Sequence, residues 1–240
     1  MSRAPLDLPV AGTDEVYRVA PSKIIALGLN YRDHIAESAS VQVQGFDADL
    51  PSEPVLFPKL PSCLTGPGDP IVLPAIARTY GFDDPRTDYE AELALFVSHE
   101  CRDVGVEHAL DYVYGYTCMN DVSQRNIQNG DRSGWFRGKS FDTFGPIGPV
   151  VVPAAHIGDV QALDISCRLN GTTVQSSNTR YMIFSVAEMV SFISRNFTLY
   201  PGDIVLTGTP AGVGPISDGD VVEIEIDGIG TLSNPVSDPA

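Results

Sequence analysis

Two glycine-containing turns, each flanked by alternating apolar residues, constrain the fold of this chain more than any other feature. The turns are Asn170-Gly171 and Asp227-Gly228. The alternating apolar residues around them are Ile165, Cys167, Leu169, Val222, Ile224 and Ile226. Successive side chains of a strand point to opposite faces, and Asn-Gly and Asp-Gly are favoured in tight hairpin turns. Both regions are therefore predicted to be β-hairpins with one buried face.

Further strands and few helices are predicted elsewhere in the chain. Residues 23–29 form an apolar run suited to a buried strand, and residues 90–98 have strand character. Residues 105–113 are a plausible helix, and residues 185–197 carry apolar side chains at helical spacing. Strands dominate and do not alternate with helices as in a parallel α/β fold. The predicted class is therefore α+β, mainly β.

The 240 residues are enough to bury one sizeable core. Residues 1–22 are predicted to be a short, loosely held N-terminal arm, and residues 23–240 a single domain. Within that domain, residues 38–54 are polar and interrupted by Gly and Pro. Because such a segment cannot anchor a core, residues 31–54 are expected to form a mobile lid.

The charge balance excludes several classes of partner. The chain has 31 acidic and 15 basic residues, a net charge of −16. A field of that sign repels nucleic acid and anionic membrane surfaces, and an acidic substrate would need local positive charge. No apolar stretch is long enough for a membrane span, and the N-terminus lacks a signal-peptide pattern. The four cysteines are widely spaced and are predicted to be reduced, buried thiols, which indicates a cytoplasmic protein.

Three carboxylates are candidates for a metal site. Glu90 and Glu92 are two residues apart on a predicted strand, so both would face one side, and Asp121 ends an aromatic run before a polar helical stretch. Together they would suit Mg²⁺, which prefers oxygen ligands, better than Zn²⁺. Taken singly, each has a simpler explanation: a solvated strand face for the glutamates and a helix N-cap for Asp121.

Three other features have candidate roles in chemistry. His34 and Glu37 have helical i, i+3 spacing, so Glu37 could orient an imidazole that accepts a proton from water; a surface ion pair is the alternative. Lys59 and Lys139, two of three lysines, lie among Pro, Gly and aromatic residues and could serve an anion, although chance placement would also explain them. Residues 206–215 could offer backbone N–H groups to a carboxylate, or form only a tight loop.

Taken together and in order, eight segments resemble the fumarylacetoacetate hydrolase family. They are NYRDHIAES, PVLFPKLPS, DYEAELALFV, YGYTCMNDVSQRNIQ, RGKSFDTFGPIGP, LNGTTVQ, MIFSVAEMVSFIS and LYPGDIVLTGTPAGVGP. The resemblance runs from about residue 23 to the C-terminus. It implies a mixed β-roll of the C-terminal-domain type of that family, a bound Mg²⁺ or Mn²⁺ ion and a homodimer.

The resemblance also implies roles for individual residues. Glu90, Glu92 and Asp121 match the metal ligands of the family, and His34 and Glu37 match a dyad on the lid that activates water. Lys139 matches a lysine near the reacting carbons of the substrate. Positions that contact substrate oxygens correspond to Lys59, Arg125, Gln128 and Thr209. Two departures stand out: Asn126 replaces an acid that some acylpyruvases carry, and the lid is longer than in the shortest members.

The implied activity is cleavage of a carbon–carbon bond in a small 2,4-dioxo acid of the acylpyruvate type, through a pyruvate enolate. The same site could serve a 2-hydroxyhepta-2,4-diene-1,7-dioate isomerase or an oxaloacetate decarboxylase or tautomerase. Hydrolysis is ranked first because His34 and Glu37 are both present. A non-catalytic metal-binding protein is the alternative from another class, but such a protein has no use for this dyad.

Overall fold

The computed structural model describes residues 5–34, 50–130 and 135–239, and most of these residues lie in or next to strands. The strands are β1 (Leu6–Pro9), β2 (Val16–Val19), β3 (Ile24–Gly28), β4 (Val55–Lys59), β5 (Leu64–Thr65), β6 (Ile71–Val72), β7 (Thr87–Tyr89), β8 (Ala91–Val97), β9 (Val113–Asn120), β10 (Ser123–Gln124), β11 (Gly145–Pro153), β12 (Asp164–Leu169), β13 (Thr172–Asn178), β14 (Ile204–Leu206), β15 (Gly214–Pro215), β16 (Val221–Ile226) and β17 (Gly230–Ser237). The α-helices are α1 (Arg125–Gly130), α2 (Phe136–Lys139) and α3 (Val186–Asn196). Short 3₁₀ helices span Pro61–Cys63, Ala75–Tyr80, Val106–Tyr112, Ala154–His156, Val160–Ala162 and Thr179–Tyr181. The fold is α+β and mainly β, as predicted.

A mixed seven-stranded sheet forms the centre of the molecule, in the order β4-β3-β14-β8-β9-β11-β5. Every residue of β8 is buried, which is why its sequence reads as an almost unbroken apolar run. Strands β8 and β9 are antiparallel, with Ala91 opposite Asn120. This register brings the beginning of β8 next to the end of β9, where the candidate carboxylates lie.

The two predicted hairpins belong to a second sheet, in the order β13-β12-β16-β17-β6. Asn170 and Gly171 join β12 to β13 with φ angles of 52° and 78°. A type I′ turn requires positive φ at both central positions, and Asn-Gly tolerates it best. Strands β16 and β17 are joined by residues 227–229, with the Ile229 amide donating to the Ile226 carbonyl at 3.0 Å. Both hairpin predictions are confirmed.

The amphipathic segment at residues 185–197 forms α3, as predicted. Ser185 caps it: its hydroxyl accepts from the Glu188 amide, while the Glu188 carboxylate accepts from the Ser185 amide. The apolar face, which includes Val186, Met189 and Ile193, is buried in the core. The helix predicted at residues 105–113 is a 3₁₀ helix, Val106–Tyr112, that leads directly into β9.

The prediction of a loosely held N-terminal arm is wrong for the residues that the structure describes. Strands β1 and β2 pair in an antiparallel hairpin, and Leu8 is fully buried in the core. The Ala11 amide also donates to the Val151 carbonyl at 2.9 Å, which ties the hairpin to β11. Burial of Leu8 and this backbone bond are tertiary contacts that the short pattern LDLPV does not reveal.

Other expectations have mixed outcomes. All four cysteines are free and buried, as predicted. Among the described residues, no helix has the length and apolar character that crossing a bilayer requires. Residues 35–49 lie outside the described part of the chain, so the lid predicted at residues 31–54 and Glu37 stay predictions.

Candidate functional site

Three buried carboxylates converge at the junction of β8 and β9. Glu90 lies between β7 and β8, Glu92 is the second residue of β8, and Asp121 follows β9. A carboxylate oxygen from each lies within 4.8 Å of the others. The Asp121 amide donates to the Glu90 carbonyl at 2.9 Å, so the backbone itself holds two of the three side by side. The antiparallel pairing of β8 and β9 thus assembles the cluster that the sequence predicted.

Two lysines place positive charge against this cluster. Lys139, the last residue of α2, donates to Glu90 Oε2 at 2.7 Å and to Asp121 Oδ2 at 2.6 Å. Lys59, the last residue of β4, pairs with Asp121 Oδ1 at 2.6 Å. Burial raises the pKa of the Glu90 carboxyl, but the charges of Lys139 and Arg125 outweigh burial, and the pKa lies below its ordinary value. Glu90 is therefore held as a carboxylate.

No lysine or arginine of the described residues forms an ion pair with Glu92, and the charge of Lys139 acts on it only without direct contact. The Glu92 side chain is 1 % exposed, and the described residues give it one hydrogen bond, from the Gly208 amide to Oε2 at 2.7 Å. Burial, together with repulsion from Asp121 and Glu90, raises the pKa of the Glu92 carboxyl well above its ordinary value. An ionised Glu92 therefore needs a further positive charge at this position.

A divalent cation fits this requirement. Three carboxylates supply only oxygen donors, which hard cations such as Mg²⁺ and Mn²⁺ prefer. The oxygens that bind the lysines keep a second lone pair, so the ammonium groups do not exhaust their capacity. Glu90, Glu92 and Asp121 are the residues that could hold the ion.

Arg125, the first residue of α1, is fixed by carboxylates on both sides. It donates to Asp88 Oδ2 at 2.8 Å through Nε and to Glu90 Oε1 at 2.5 Å through Nη2. Nη1 donates to Gln128 Oε1 at 3.0 Å. The structure thus joins two predicted substrate-contacting residues, Arg125 and Gln128, to the carboxylate cluster.

The cluster opens onto a narrow cavity of about 30 Å³, room for one or two water molecules. Seven of the predicted site residues line it: His34, Glu90, Glu92, Arg125, Gln128, Lys139 and Thr209, the last from the loop after β14. Phe57 and Trp135 form an apolar wall, with their ring centroids 5.2 Å apart. A water-sized polar space between carboxylates, a histidine and a lysine can hold the oxygens of a small acid.

Lys59 lies behind the cluster rather than on the cavity surface. Its side chain is completely buried, and Nζ donates to the carbonyls of Lys139 and Phe144 in addition to its pair with Asp121. These contacts use the ammonium within the protein and fix the position of Asp121. Its predicted contact with substrate stays a prediction.

Thr209 is positioned by a residue that the sequence did not suggest. Gln175 on β13 donates through Nε2 to Thr209 Oγ1 at 2.9 Å and to the Pro210 carbonyl at 2.8 Å. Its Oε1 accepts from the Ala91 amide at 3.0 Å, between the two glutamates. Gln175 therefore links the loop at residues 207–213 to the start of β8.

Asp88 was also missed. It is 1 % exposed and holds Arg125 and Arg86 through its two oxygens. Asp88, Glu90 and Glu92 follow one another at intervals of two residues in DYEAE. Extending the two-residue spacing by one step toward the N-terminus would have found this residue.

Comparison with known proteins identifies the family. A family model described as fumarylacetoacetate (FAA) hydrolase C-terminal matches residues 23–237. This chain belongs to the fumarylacetoacetate hydrolase family. The match covers the central sheet, the second sheet and all three members of the carboxylate cluster.

Several members of the fumarylacetoacetate hydrolase family are similar over most of this chain. A 2,4-didehydro-3-deoxy-L-rhamnonate hydrolase from Sphingomonas sp. (strain SKA58) is 42% identical, over 90% of this chain and 73% of its own length. A mitochondrial oxaloacetate tautomerase from Xenopus laevis is 42% identical, over 90% of this chain and 66% of its own length. Fumarylpyruvate hydrolase from Pseudomonas aeruginosa, whose crystal structure is in complex with Mn²⁺ and pyruvate, is 32% identical in sequence. Its structure matches with a TM-score of 0.85, over 100% of this chain and 98% of its own length. These relatives are enzymes, and one binds a divalent metal ion together with a 2-oxo acid.

Proposed function

We propose that this chain is a Mg²⁺-dependent hydrolase that cleaves a carbon–carbon bond of a small 2,4-dioxo acid of the acylpyruvate type. The observation that carries the proposal is the buried carboxylate cluster opening onto a cavity shared with His34 and Lys139. Fumarylpyruvate hydrolase, which matches the chain over nearly its whole length, supports this choice among the activities of the family.

The all-oxygen donor set supports Mg²⁺ or Mn²⁺, and we propose Mg²⁺ as the ion used. When bound, the cation supplies Lewis acidity to the carboxylate and 2-oxo groups of the substrate. Arg125 and Gln128 hold the same end of the substrate by hydrogen bonds, and Thr209 offers a hydroxyl that Gln175 keeps in place. The apolar wall of Phe57 and Trp135 limits access of water.

In the proposed reaction, His34 removes a proton from a water molecule, whose oxygen forms a bond to the 4-carbonyl carbon. Glu37 is proposed to orient the imidazole, although it lies outside the described residues. The C3–C4 bond then breaks, and its electron pair passes to the 2-oxo oxygen as an enolate, which later takes a proton at C3. Lys139 stabilises the developing negative charge because its ammonium is buried at the cavity wall.

Tautomerisation of oxaloacetate is a second candidate, favoured by the 42% identical tautomerase from Xenopus laevis. Interconversion of keto and enol forms moves one proton between C3 and the oxygen at C2 and needs no attack by water. A decarboxylase or a 2-hydroxyhepta-2,4-diene-1,7-dioate isomerase would use the same enolate. A non-catalytic metal protein is disfavoured because the site combines its carboxylates with a histidine and a lysine.

The test is an assay with Mg²⁺ against acetylpyruvate, oxaloacetate and a 2-hydroxy-dienedioate side by side. The proposal expects the highest kcat/KM for acetylpyruvate, with pyruvate and acetate as products. Rapid keto–enol exchange of oxaloacetate without hydrolysis of acetylpyruvate would contradict the hydrolase activity and support the tautomerase activity. No turnover of any of the three with the metal-loaded protein would contradict both.

We propose a homodimer as the assembly. An apolar groove of about 410 Å³ beside the edge strand β4 supports it, since Leu60, Phe136 and Phe197 expose apolar side chains there. The cytoplasm is proposed as the compartment, which four free cysteines support. Light scattering is expected to give twice the chain mass of 25.7 kDa, and a monomer would contradict the dimer.

A further inference from the structure

A second cavity adjoins the candidate active site. It has a volume of about 340 Å³, and the described residues that line it are Tyr31, Arg32, Asp33, Ser177, Arg180, Tyr181, Met182 and Pro210. Two of its lining residues are chain neighbours of residues that line the first cavity: Asp33 precedes His34, and Pro210 follows Thr209. Consecutive Cα atoms are only about 3.8 Å apart. The two cavities therefore share their walls.

Backbone contacts hold these walls together. Tyr31 forms an antiparallel bridge with Met182, and the Ile183 amide donates to the Asn30 carbonyl at 2.8 Å. The Asn30 side chain donates to the Thr207 carbonyl at 2.8 Å, one residue before the amide that binds Glu92. Arg32 and Arg180 thus belong to segments pinned at fixed positions beside the carboxylate cluster.

The charges at this cavity distinguish it from the rest of the surface. At least five arginines of the described chain contact a carboxylate, namely Arg18, Arg78, Arg86, Arg125 and Arg168. Arg32 and Arg180 contact none among the described residues, and Arg180 uses only Nε, toward Asn178 Oδ1 at 2.9 Å. Asp33 offsets part of this charge, which leaves one net positive charge at the cavity in a protein of charge −16.

The cavity also offers hydrogen-bond donors. Ser177 lines it and supplies a hydroxyl. Arg32 and Arg180, which also line it, supply two guanidinium groups. Guanidinium and hydroxyl groups are donors that suit a carboxylate.

From these observations we infer that the second cavity binds a carboxylate at the far end of the substrate, with Arg32 and Arg180 as residues that determine specificity. The inference rests on the proposed function and narrows its substrate class to dicarboxylic 2,4-dioxo acids. The narrow cavity at the carboxylate cluster holds only the oxo-acid end, so a longer acyl group must extend past Thr209 and His34. The second cavity lies where that acyl group would end.

Two substrates that differ at one end test this inference. Fumarylpyruvate carries a terminal carboxylate, whereas acetylpyruvate ends in a methyl group. The variants are Arg180→Gln and Arg32→Gln, both at exposed side chains. Arg195→Gln, at an exposed arginine on α3, is the matched control for loss of one positive charge.

We expect each of the first two variants to raise KM for fumarylpyruvate about tenfold, since a charge-assisted hydrogen bond is lost at a partly solvated position. The kcat values, and every constant for acetylpyruvate, should stay within about twofold, and Arg180→Lys should recover part of the loss. Equal effects on both substrates, or an equal effect of Arg195→Gln, would overturn the inference.

Calorimetry separates this inference from the proposed function. Dissociation constants of the two acids are measured for the metal-loaded wild type and the two variants. If neither acid is hydrolysed, the proposed function fails. A tenfold preference for fumarylpyruvate that disappears in Arg180→Gln would then still support the carboxylate subsite. Equal dissociation constants for the two acids would overturn it.

Discussion

Glu92 differs from the other two carboxylates of its cluster because no described cation contacts it. We expect Glu92→Gln to abolish Mg²⁺ binding and turnover together. In the metal-free protein the same change should preserve or raise the melting temperature. The reason is that the pKa of the Glu92 carboxyl is higher in the folded protein than in the unfolded chain. At any pH above its unfolded pKa, this carboxyl therefore lowers the free energy of unfolding, and Gln removes that cost.

Calorimetric titration with Mg²⁺ and thermal melts with and without the metal measure both effects. Asp14→Asn, at an exposed carboxylate near the N-terminus, serves as the control for charge removal. A Glu92→Gln protein that binds Mg²⁺ as tightly as the wild type would remove Glu92 from the set of ligands.

His34 is separated in role from the metal ligands. We expect His34→Ala to lower kcat for acylpyruvate hydrolysis by about a hundredfold or more, since it removes the proposed general base. The Mg²⁺ dissociation constant should stay within about threefold, because carboxylate oxygens supply the ligands. Unchanged hydrolysis by the variant would show that another group activates the water.

Asp203 tests the electrostatics of the fold away from the site. Its buried carboxylate pairs with Lys23 and accepts from the Ser22 and Tyr200 amides at 3.0 and 2.8 Å. Burial raises the pKa of the Asp203 carboxyl, but these bonds outweigh burial and lower it. Its stabilising contribution is therefore complete above the unfolded pKa of about 3.9 and is lost as pH falls through the lower folded value.

We expect Asp203→Asn to lower the free energy of unfolding at pH 7 by about 2 kcal/mol, since charged hydrogen bonds are lost. The difference from the wild type should narrow below pH about 4, as the wild-type carboxyl becomes protonated. Urea unfolding at a series of pH values measures it, again with Asp14→Asn as control. A difference independent of pH would contradict the ion-pair explanation.

At the scale of elements, the turn after β14 positions Glu92 through the Gly208 amide. Gly208 has a φ of 89°, and a Cβ there would lie 2.8 Å from Asn30 Cβ. Gly219 has a similar φ of 82° but open space around it. We expect Gly219→Ala to cost about 1 kcal/mol of stability from backbone strain alone, and Gly208→Ala to cost more.

Gly208→Ala should also weaken Mg²⁺ binding, because displacement of the loop moves the amide that orients Glu92. Chemical denaturation and metal titration of both variants provide the comparison. Equal stability losses and unchanged metal affinity in the two variants would show that the close approach to Asn30 is unimportant.

Local patterns predicted the elements well where each element carries its own signal. The Asn170-Gly171 hairpin and α3 follow from turn chemistry and helical spacing alone. The helix at residues 106–112 was predicted without its type, because the hydrogen bonds that separate a 3₁₀ from an α-helix are not written in apolar spacing. The β1–β2 hairpin depends on burial of Leu8 against distant residues, so its short sequence gave no signal.

The candidate site could be predicted as a set of residues but not as a network. Glu90 and Asp121 are 31 positions apart, and only the register of β8 with β9 brings them together. The resemblance to the family supplied their common role. The supporting contacts of Asp88, Gln175 and Lys59 arise from tertiary packing, for which the sequence has no local pattern.

At the scale of the whole molecule, the strongly negative charge and an acidic substrate are reconciled by local positive charge. The chain carries −16 overall, yet the buried Lys59 and Lys139 and the half-buried Arg125 surround one cluster. A divalent cation would add to this local field, so the site can attract an anion that the rest of the surface repels.

The most direct test of the central claim is acylpyruvate turnover before and after removal of divalent metal by EDTA, followed by return of Mg²⁺. Turnover should disappear with EDTA and recover when Mg²⁺ exceeds the chelator, while the melting temperature falls and recovers in parallel. Hydrolysis that continues undiminished in EDTA would contradict the role assigned to Glu90, Glu92 and Asp121.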